Sequence, residues 1–311
     1  MKKILNEEEE ISLKKNAAKI SVFSNSSLIL MKFAAGFLTG SFSIISEAIH
    51  SMSDLLASLI AFFAIKKASK PADKDHSFGH GKYEDFSGLI EGLLIICAAI
   101  YIVYESAAKI IRSQYSEIST DLAIYVMLFS VIVNIFVSKH LFETAKKTGS
   151  IALFADAEHL RTDIYTSAGV MLGLVLIKLT NFHILDPLIA LFVAALILQA
   201  GLSICKKTVA NLLDTSLSTT EEQDIINTVN SVDEDKEFRI CKLKTRRSGA
   251  RENIELTLCV DENMTVQKSH TICNKIESAL TEKIGKIDTL IHIEPMCPNC
   301  EKEASKEKLK I

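Results

Sequence analysis

His50 and Asp54 stand four residues apart in an apolar stretch, and His159 and Asp163 repeat that spacing about a hundred residues later. Residues at i and i+4 project from one face of a helix, so each pair can offer an imidazole nitrogen and a carboxylate oxygen to one point. Two neutral imidazoles and two carboxylates supply four ligands and two negative charges, the complement of a tetrahedral zinc ion. Manganese and magnesium favour octahedral, oxygen-rich shells and fit this set poorly. Iron(II) is the serious competitor, because ligand type separates it only weakly from zinc, and cobalt or cadmium could enter too. An unperturbed imidazole titrates at about pH 6.5, so protons compete with metal for His50 and His159 near neutral pH.

Three further groups could hold metal. Asp73, His76 and His80 cluster in a charged segment, with His76 and His80 again four apart. The alternative is a solvated loop whose Gly79 and Gly81 shape the turn into the next helix. His292 and Glu294 alternate along an apolar run and therefore share a face if that run is a strand. Cys297 and Cys300 form a CxxC, half of a common zinc site and weak evidence alone. Seven cysteines without a secreted framework's spacing suggest reduced thiols rather than disulfides. Cys97 and Cys205 fall in apolar stretches and read as packing residues.

The elements that must position these groups are mostly membrane-spanning. With 48% hydrophobic residues, a mean hydropathy of +0.24 and four prolines in 311 residues, the chain is too apolar in blocks for an ordinary soluble protein. Six stretches are long enough to cross a bilayer at roughly 20 residues each, near 20–40, 43–65, 87–110, 120–140, 151–178 and 184–205. Lysines crowd the loops after the second, fourth and sixth, including Lys66, Lys67, Lys74, Lys146, Lys147, Lys206 and Lys207. Cytoplasmic loops are enriched in such residues, so both termini are expected in the cytoplasm. Residues 1–19 are too charged for a signal and read as a solvated lead-in helix. His50, Asp54, His159 and Asp163 then lie at membrane depth, where ionisable residues are costly and mark function.

From about residue 208 the pattern becomes that of a small α+β domain extending to 296, followed by a lysine- and glutamate-rich tail over 297–311. Ser218 and Glu221 form a capping box for a helix carrying Ile225, Ile226 and Val229 inward. The run Phe238 to Thr245 pairs with an alternating strand at Ile254 to Val260 across a turn at Ser248 and Gly249. A helix over 265–284 presents Val266, Cys273, Ile276 and Leu280 inward, and a last strand runs from Ile287 to Glu294. That αββαβ order suggests an open ferredoxin-like sheet with helices on one face. The expected fold is thus an α-helical membrane protein with six transmembrane helices in 20–207 and a cytoplasmic ferredoxin-like α+β domain.

The run Ser77-Phe78-Gly79-His80-Gly81-Lys82-Tyr83-Glu84, the two His-x-x-x-Asp pairs and the αββαβ tail together resemble the cation diffusion facilitator family, over about residues 12 to 295. The resemblance implies a homodimer in the lipid bilayer of a bacterial inner membrane that exports divalent metal ions in exchange for protons. It places His50, Asp54, His159 and Asp163 at the transport site, in the arrangement the family associates with Zn2+. It places Asp73, His76 and His80 at a loop metal site, and pairs Lys82 with Asp214 as an interlock between membrane and cytoplasmic domains. It also puts Cys241, His270, His292 and Glu294 in a tail-domain site at the dimer interface, with Cys297 and Cys300 as possible additional ligands. This chain departs from the pattern there, since Cys241 and Thr257 stand where histidines often occur and Glu294 replaces an aspartate. An iron(II), cadmium or manganese exporter of the same family is an alternative, as is a membrane metal sensor or scaffold that does not transport. No HExxH or nucleophile motif points to an enzyme, and no nucleic-acid partner is expected.

Overall fold

The computed structural model describes residues 6–39, 42–112, 121–180, 185–232, 237–285 and 287–296. The chain divides into two compact units, one ending at Val209 and one beginning at Ala210. Among the described residues the first unit consists of α1 (Glu7–Thr39), α2 (Phe42–Ala68), α3 (Lys82–Arg112), α4 (Asp121–Thr148), α5 (Ile151–Thr180) and α6 (Leu185–Leu212, whose last residues enter the second unit).

The interior of this unit is lined with small residues. Ala17, Ala18, Ala61, Ala152 and Ala157 pack with Ile65, Leu141, Leu153 and Leu160 where α1, α2, α4 and α5 meet. Ile95, Ala99, Ala155, Ile197 and Ile204 join α3, α5 and α6. Large apolar side chains face outward instead, among them Phe23, Phe37, Phe136 and Phe192. A water-soluble protein would bury those residues, whereas lipid removes the incentive and leaves close backbone approach as the packing principle. Gly92 illustrates it, because a Cβ there would lie 2.7 Å from the Cys205 sulfur. Among the described residues three helical segments are long and apolar enough to cross a membrane: Lys82–Ala108, Leu128–Thr148 and Leu191–Leu212.

One expectation is corrected at the N-terminus. Residues 7–19 are not a separate solvated helix but the first turns of α1, a single helix of 33 residues. Glu10 and Lys14 are buried there because Lys14 meets Glu10 at 3.2 Å and Glu84 of α3 at 2.8 Å. Charges survive burial when paired in this way.

The second unit holds α7 (Thr219–Ser231), β1 (Phe238–Ser248), β2 (Arg251–Val260), α8 (Val266–Ile284) and β3 (Ile287–Pro295). The sheet order is β1-β2-β3, with β1 antiparallel and β3 parallel to β2. The capping box forms: the Ser218 hydroxyl accepts from the Glu221 amide, and the Glu221 carboxylate accepts from the Ser218 amide. Gly249 makes the hairpin turn at a φ of 60, a conformation that favours glycine. Ile225, Val229, Ile272, Ile276 and Leu280 of the helices pack on Ile254, Leu256 and Leu258, so both helices cover one sheet face. Val266 is 84% exposed rather than inward, because it opens α8 and Ile272 fills the core position instead.

Candidate metal centre

The sequence separates His159 and Asp163 from Asp54 by about a hundred residues, and the packing of α2 against α5 closes that gap. Asp54, His159 and Asp163 each offer a ligand atom within 4.8 Å of one another. His159 Nε2 lies 3.4 Å from Asp54 Oδ1, with both side chains largely buried. Among the described residues, neither ring nitrogen of His159 completes a well-formed hydrogen bond, and Nε2 has only the long approach to Asp54. Buried polar atoms almost always do, so a buried imidazole flanked by two carboxylates has the chemistry of a metal ligand. His50 lies one helical turn before Asp54 on α2, and its side chain falls outside the described residues.

A polar seam supports the cluster. Ser58 of α2 touches Asp156 Oδ1 of α5 at 3.3 Å, the Asp54 carbonyl at 3.0 Å and the Ser21 hydroxyl of α1 at 3.0 Å. Asn25 of α1 donates to Ser58 and to the Asp54 carbonyl. Three helices are thereby keyed together beside the cluster, and reading the sequence missed most of the parts. Asp156 is fully buried, and so is Glu91 of α3; one oxygen of each lacks a hydrogen-bond partner among the described residues. Asp156 precedes His159 by three residues and so shares its helix face, which was a readable signal. Glu91 is a carboxyl inside an apolar stretch, a second one. Lys32 is also buried and donates to Ser51 at 2.6 Å.

The loop cluster is built locally. Asp73 Oδ2 lies 3.2 Å from His80 Nε2 and Asp73 Oδ1 3.5 Å from His76 Nδ1. All three offer ligand atoms within 4.8 Å of one another. His80 Nδ1 sits 3.2 Å from the Pro71 carbonyl, a contact that suits an N–H there and turns Nε2 toward Asp73. The Asp73 carboxylate accepts the His76 and Asp75 amides at 2.8 and 3.1 Å. The His76 amide chiefly holds its pKa below the ordinary carboxylate value. Gly79, at a φ of 80, turns the chain so that His80 points back. The loop thus imposes more geometry than its composition suggests.

Among the described residues the tail positions form no cluster of three or more ligand atoms. His292 Nε2 meets Glu294 Oε1 at 3.3 Å on β3. His270 is exposed on α8, on the other side of the sheet. Cys241 is corrected outright. It is bonded to Cys259 across β1 and β2, so the expectation of reduced thiols fails here and its sulfur in this form is not a thiolate ligand. Cys297 and Cys300 lie outside the described residues. Lys82 opens α3 in the first unit, while Asp214 belongs to the second and lies 3.5 Å from Arg246.

A unit of long helices that brings two carboxylates and an imidazole together, followed by a small sheet domain, fits a protein that handles cations. Comparison with known proteins shows its family. The cation efflux transmembrane domain family matches residues 18–213, and the cation efflux protein cytoplasmic domain matches 217–296. The chain is 35% identical to the uncharacterized transporter sll1263 of Synechocystis over 86% of this chain and 85% of the relative. It is 30% identical to the cation-efflux pump FieF of Yersinia enterocolitica over 91% of this chain and 93% of the relative. A solved structure of a candidate zinc transporter, CzrB, in its Zn form shares 29% identity at a TM-score of 0.25, covering 26% of this chain and 90% of that one. The chain belongs to the cation diffusion facilitator family of cation efflux transporters. Its second unit is the domain type through which such proteins dimerise.

Proposed function

We propose that this chain exports zinc from the cytoplasm in exchange for protons, through a tetrahedral site of His50, Asp54, His159 and Asp163. The observation that carries this reading is the buried convergence of Asp54, His159 and Asp163 across two helices. His50, one turn from Asp54, supplies the fourth ligand. The resulting two-nitrogen, two-carboxylate set neutralises a divalent ion and matches zinc in number and donor type. Protons drive release because imidazole must be neutral and carboxylate ionised to bind metal. A high proton concentration on the outer side therefore expels the ion and reloads the site with protons.

In this reading six helices span the inner membrane with both termini in the cytoplasm, and α2 and α5 alternate the access of a fixed midplane site. Asp73, His76 and His80 bind a cytoplasmic ion that reports supply, and the chain works as a homodimer. The test is flux in proteoliposomes under an imposed pH gradient. Zinc and cadmium should move with manganese poor, and Asp54→Ala or Asp163→Ala should abolish movement. Intact binding without any flux in the unaltered protein would leave a sensor, not a transporter.

A further inference from the structure

We propose that Glu91 of α3 holds a proton in a buried pair with Asp156 of α5, and gives it up when a divalent cation binds beside Asp156. The two carboxyls come together because α3 and α5 approach closely. A Cβ on Gly88 would lie 3.0 Å from the Ile151 side chain and 3.8 Å from the Ala155 Cβ. Glu91 and Ile95 follow Gly88 at helical spacing, so all three share one face of α3. Ile95 and Ala155 belong to the same buried cluster, and Asp156 is the next residue of α5. Glu91 and Asp156 are near enough for their charges to act on one another.

Little there offsets a double negative charge. Both side chains are at 0% exposure, and Glu91 Oε2 and Asp156 Oδ2 each lack a hydrogen-bond partner among the described residues. Around Glu91, α3 supplies the Ser87 hydroxyl at 3.5 Å and α5 supplies Asp156. Among the described residues neither α2 nor α6 turns a charged group toward it, and α6 places Ile204 and Cys205 against the neighbouring Gly92. Asp156 has more company. The Ser21 and Ser58 hydroxyls of α1 and α2 approach it, Asp54 adds negative charge and His159 opposes it. Two carboxylates facing each other in such surroundings do not both stay ionised, so the pair keeps a proton. Glu91 is its holder, because the hydroxyls and His159 favour the charged form of Asp156.

The position of the pair gives this proton a use. His159 and Asp54 belong to the cluster described above, and both act electrostatically on Asp156. A divalent cation in that cluster adds positive potential, which favours the fully ionised pair and acts strongly in a medium of low dielectric constant. The O–H bond of Glu91 then breaks, the proton leaves on water and a carboxylate remains. Departure of the cation reverses the step. Metal and proton thus displace one another without sharing a ligand. This rests on the reading that the Asp54, His159 and Asp163 cluster takes the cation.

The experiment uses the full chain in detergent, with infrared difference spectra and proton release on zinc binding read by an indicator dye in weak buffer. Zinc-free protein at neutral pH should show the C=O stretch of a protonated carboxyl, and zinc should remove it. Glu91→Gln should abolish that band and release about one proton fewer per zinc, and Glu91→Asp should restore both. A band that persists in Glu91→Gln, or proton release equal to that of the unaltered chain, would overturn the proposal. Isotope labelling keeps it open to refutation if Glu91→Gln fails to fold. The band of the unaltered protein should shift when glutamate carboxyls carry carbon-13, and a shift only with labelled aspartate would overturn the assignment. Asp54→Ala tests the reading beneath it. Undiminished zinc binding in that variant would remove the cluster as the place of the cation, while the zinc-free band and its loss in Glu91→Gln would still establish the held proton.

Discussion

The two units of this chain handle charge in opposite ways. In the helical unit ionisable groups are buried: Lys14 with Glu84 and Glu10, Asp54 with His159, and Asp156 and Glu91 at no exposure at all. In the sheet unit apolar side chains fill the core, and ion pairs such as Arg247 with Glu221 and Glu252 sit at its surface. The difference follows from the solvent each unit faces. Lipid offers no reward for burying leucine, so the interior is left to small and polar residues, whereas water drives leucine inward and solvates the charges. A buried charge loses its hydration whether or not it has a partner, so removing a partner inside the helical unit should cost far more than removing one in the sheet unit.

The largest expected effect tests the buried cluster against the exposed histidine on α8. On the proposed transport reading, His159→Ala should lower proton-driven zinc flux by at least about 100-fold, since it deletes a proposed ligand from between two carboxylates. His270→Ala should change flux less than about threefold. Proteoliposome uptake at matched protein loading reads both. Equal losses would mean that the exposed tail, not the membrane centre, limits transport.

Much of this contrast was legible in the sequence. The i, i+4 spacing placed each His-Asp pair on one helix face, and the alternation at Ile254 to Val260 with the Ser218 and Glu221 box defined the αββαβ unit. Periodicity reports which residues share a face, but not which distant faces meet. Hence Lys14 read as solvated, although α3 brings Glu84 to it, and Asp156 and Glu91 passed unnoticed. Cys241 failed for a different reason. Its partner is set by a bulge that shifts register by one residue, and no pattern within either strand encodes that shift.

An intermediate effect should come from the charge tie between α1 and α3. Burial opposes the Lys14 charge, but Glu84 and Glu10 outweigh it and raise the ammonium pKa above its ordinary 10.5. A raised folded value means that the stabilisation is present below 10.5 and is lost only as pH rises through the higher value. The tie is therefore fully formed at neutral pH. Lys14→Ala strands two buried carboxylates and should cost about 3–5 kcal/mol. Thermal unfolding in detergent should show the loss, with roughly half recovered when Glu84→Gln removes one stranded charge. No recovery would place the cost in lost lysine packing instead.

The smallest effect belongs to the surface of the sheet unit. Burial alone would raise the Glu221 pKa, but the Ser218 amide and hydroxyl and the Arg247 guanidinium outweigh it and hold the carboxyl below its ordinary 4.5. A depressed folded value contributes stability that is present above 4.5 and is lost as pH falls through the lower value. The group is mostly exposed, so solvent screens the Arg247 contribution and the cap hydrogen bonds carry most of the effect. Glu221→Gln keeps an acceptor for the Ser218 amide while removing the charge. It should cost about 0.5–1 kcal/mol at pH 7 and less at pH 3, because the native carboxyl loses its charge as pH falls through the lowered value. Denaturant unfolding of this unit within the full chain, followed at both pH values, separates the two contributions. If the cost is the same at pH 3, the helix cap is held by shape rather than by charge. If it reaches the 3–5 kcal/mol expected of Lys14, surface ion pairs here are as costly to break as buried ones and the contrast between the units fails.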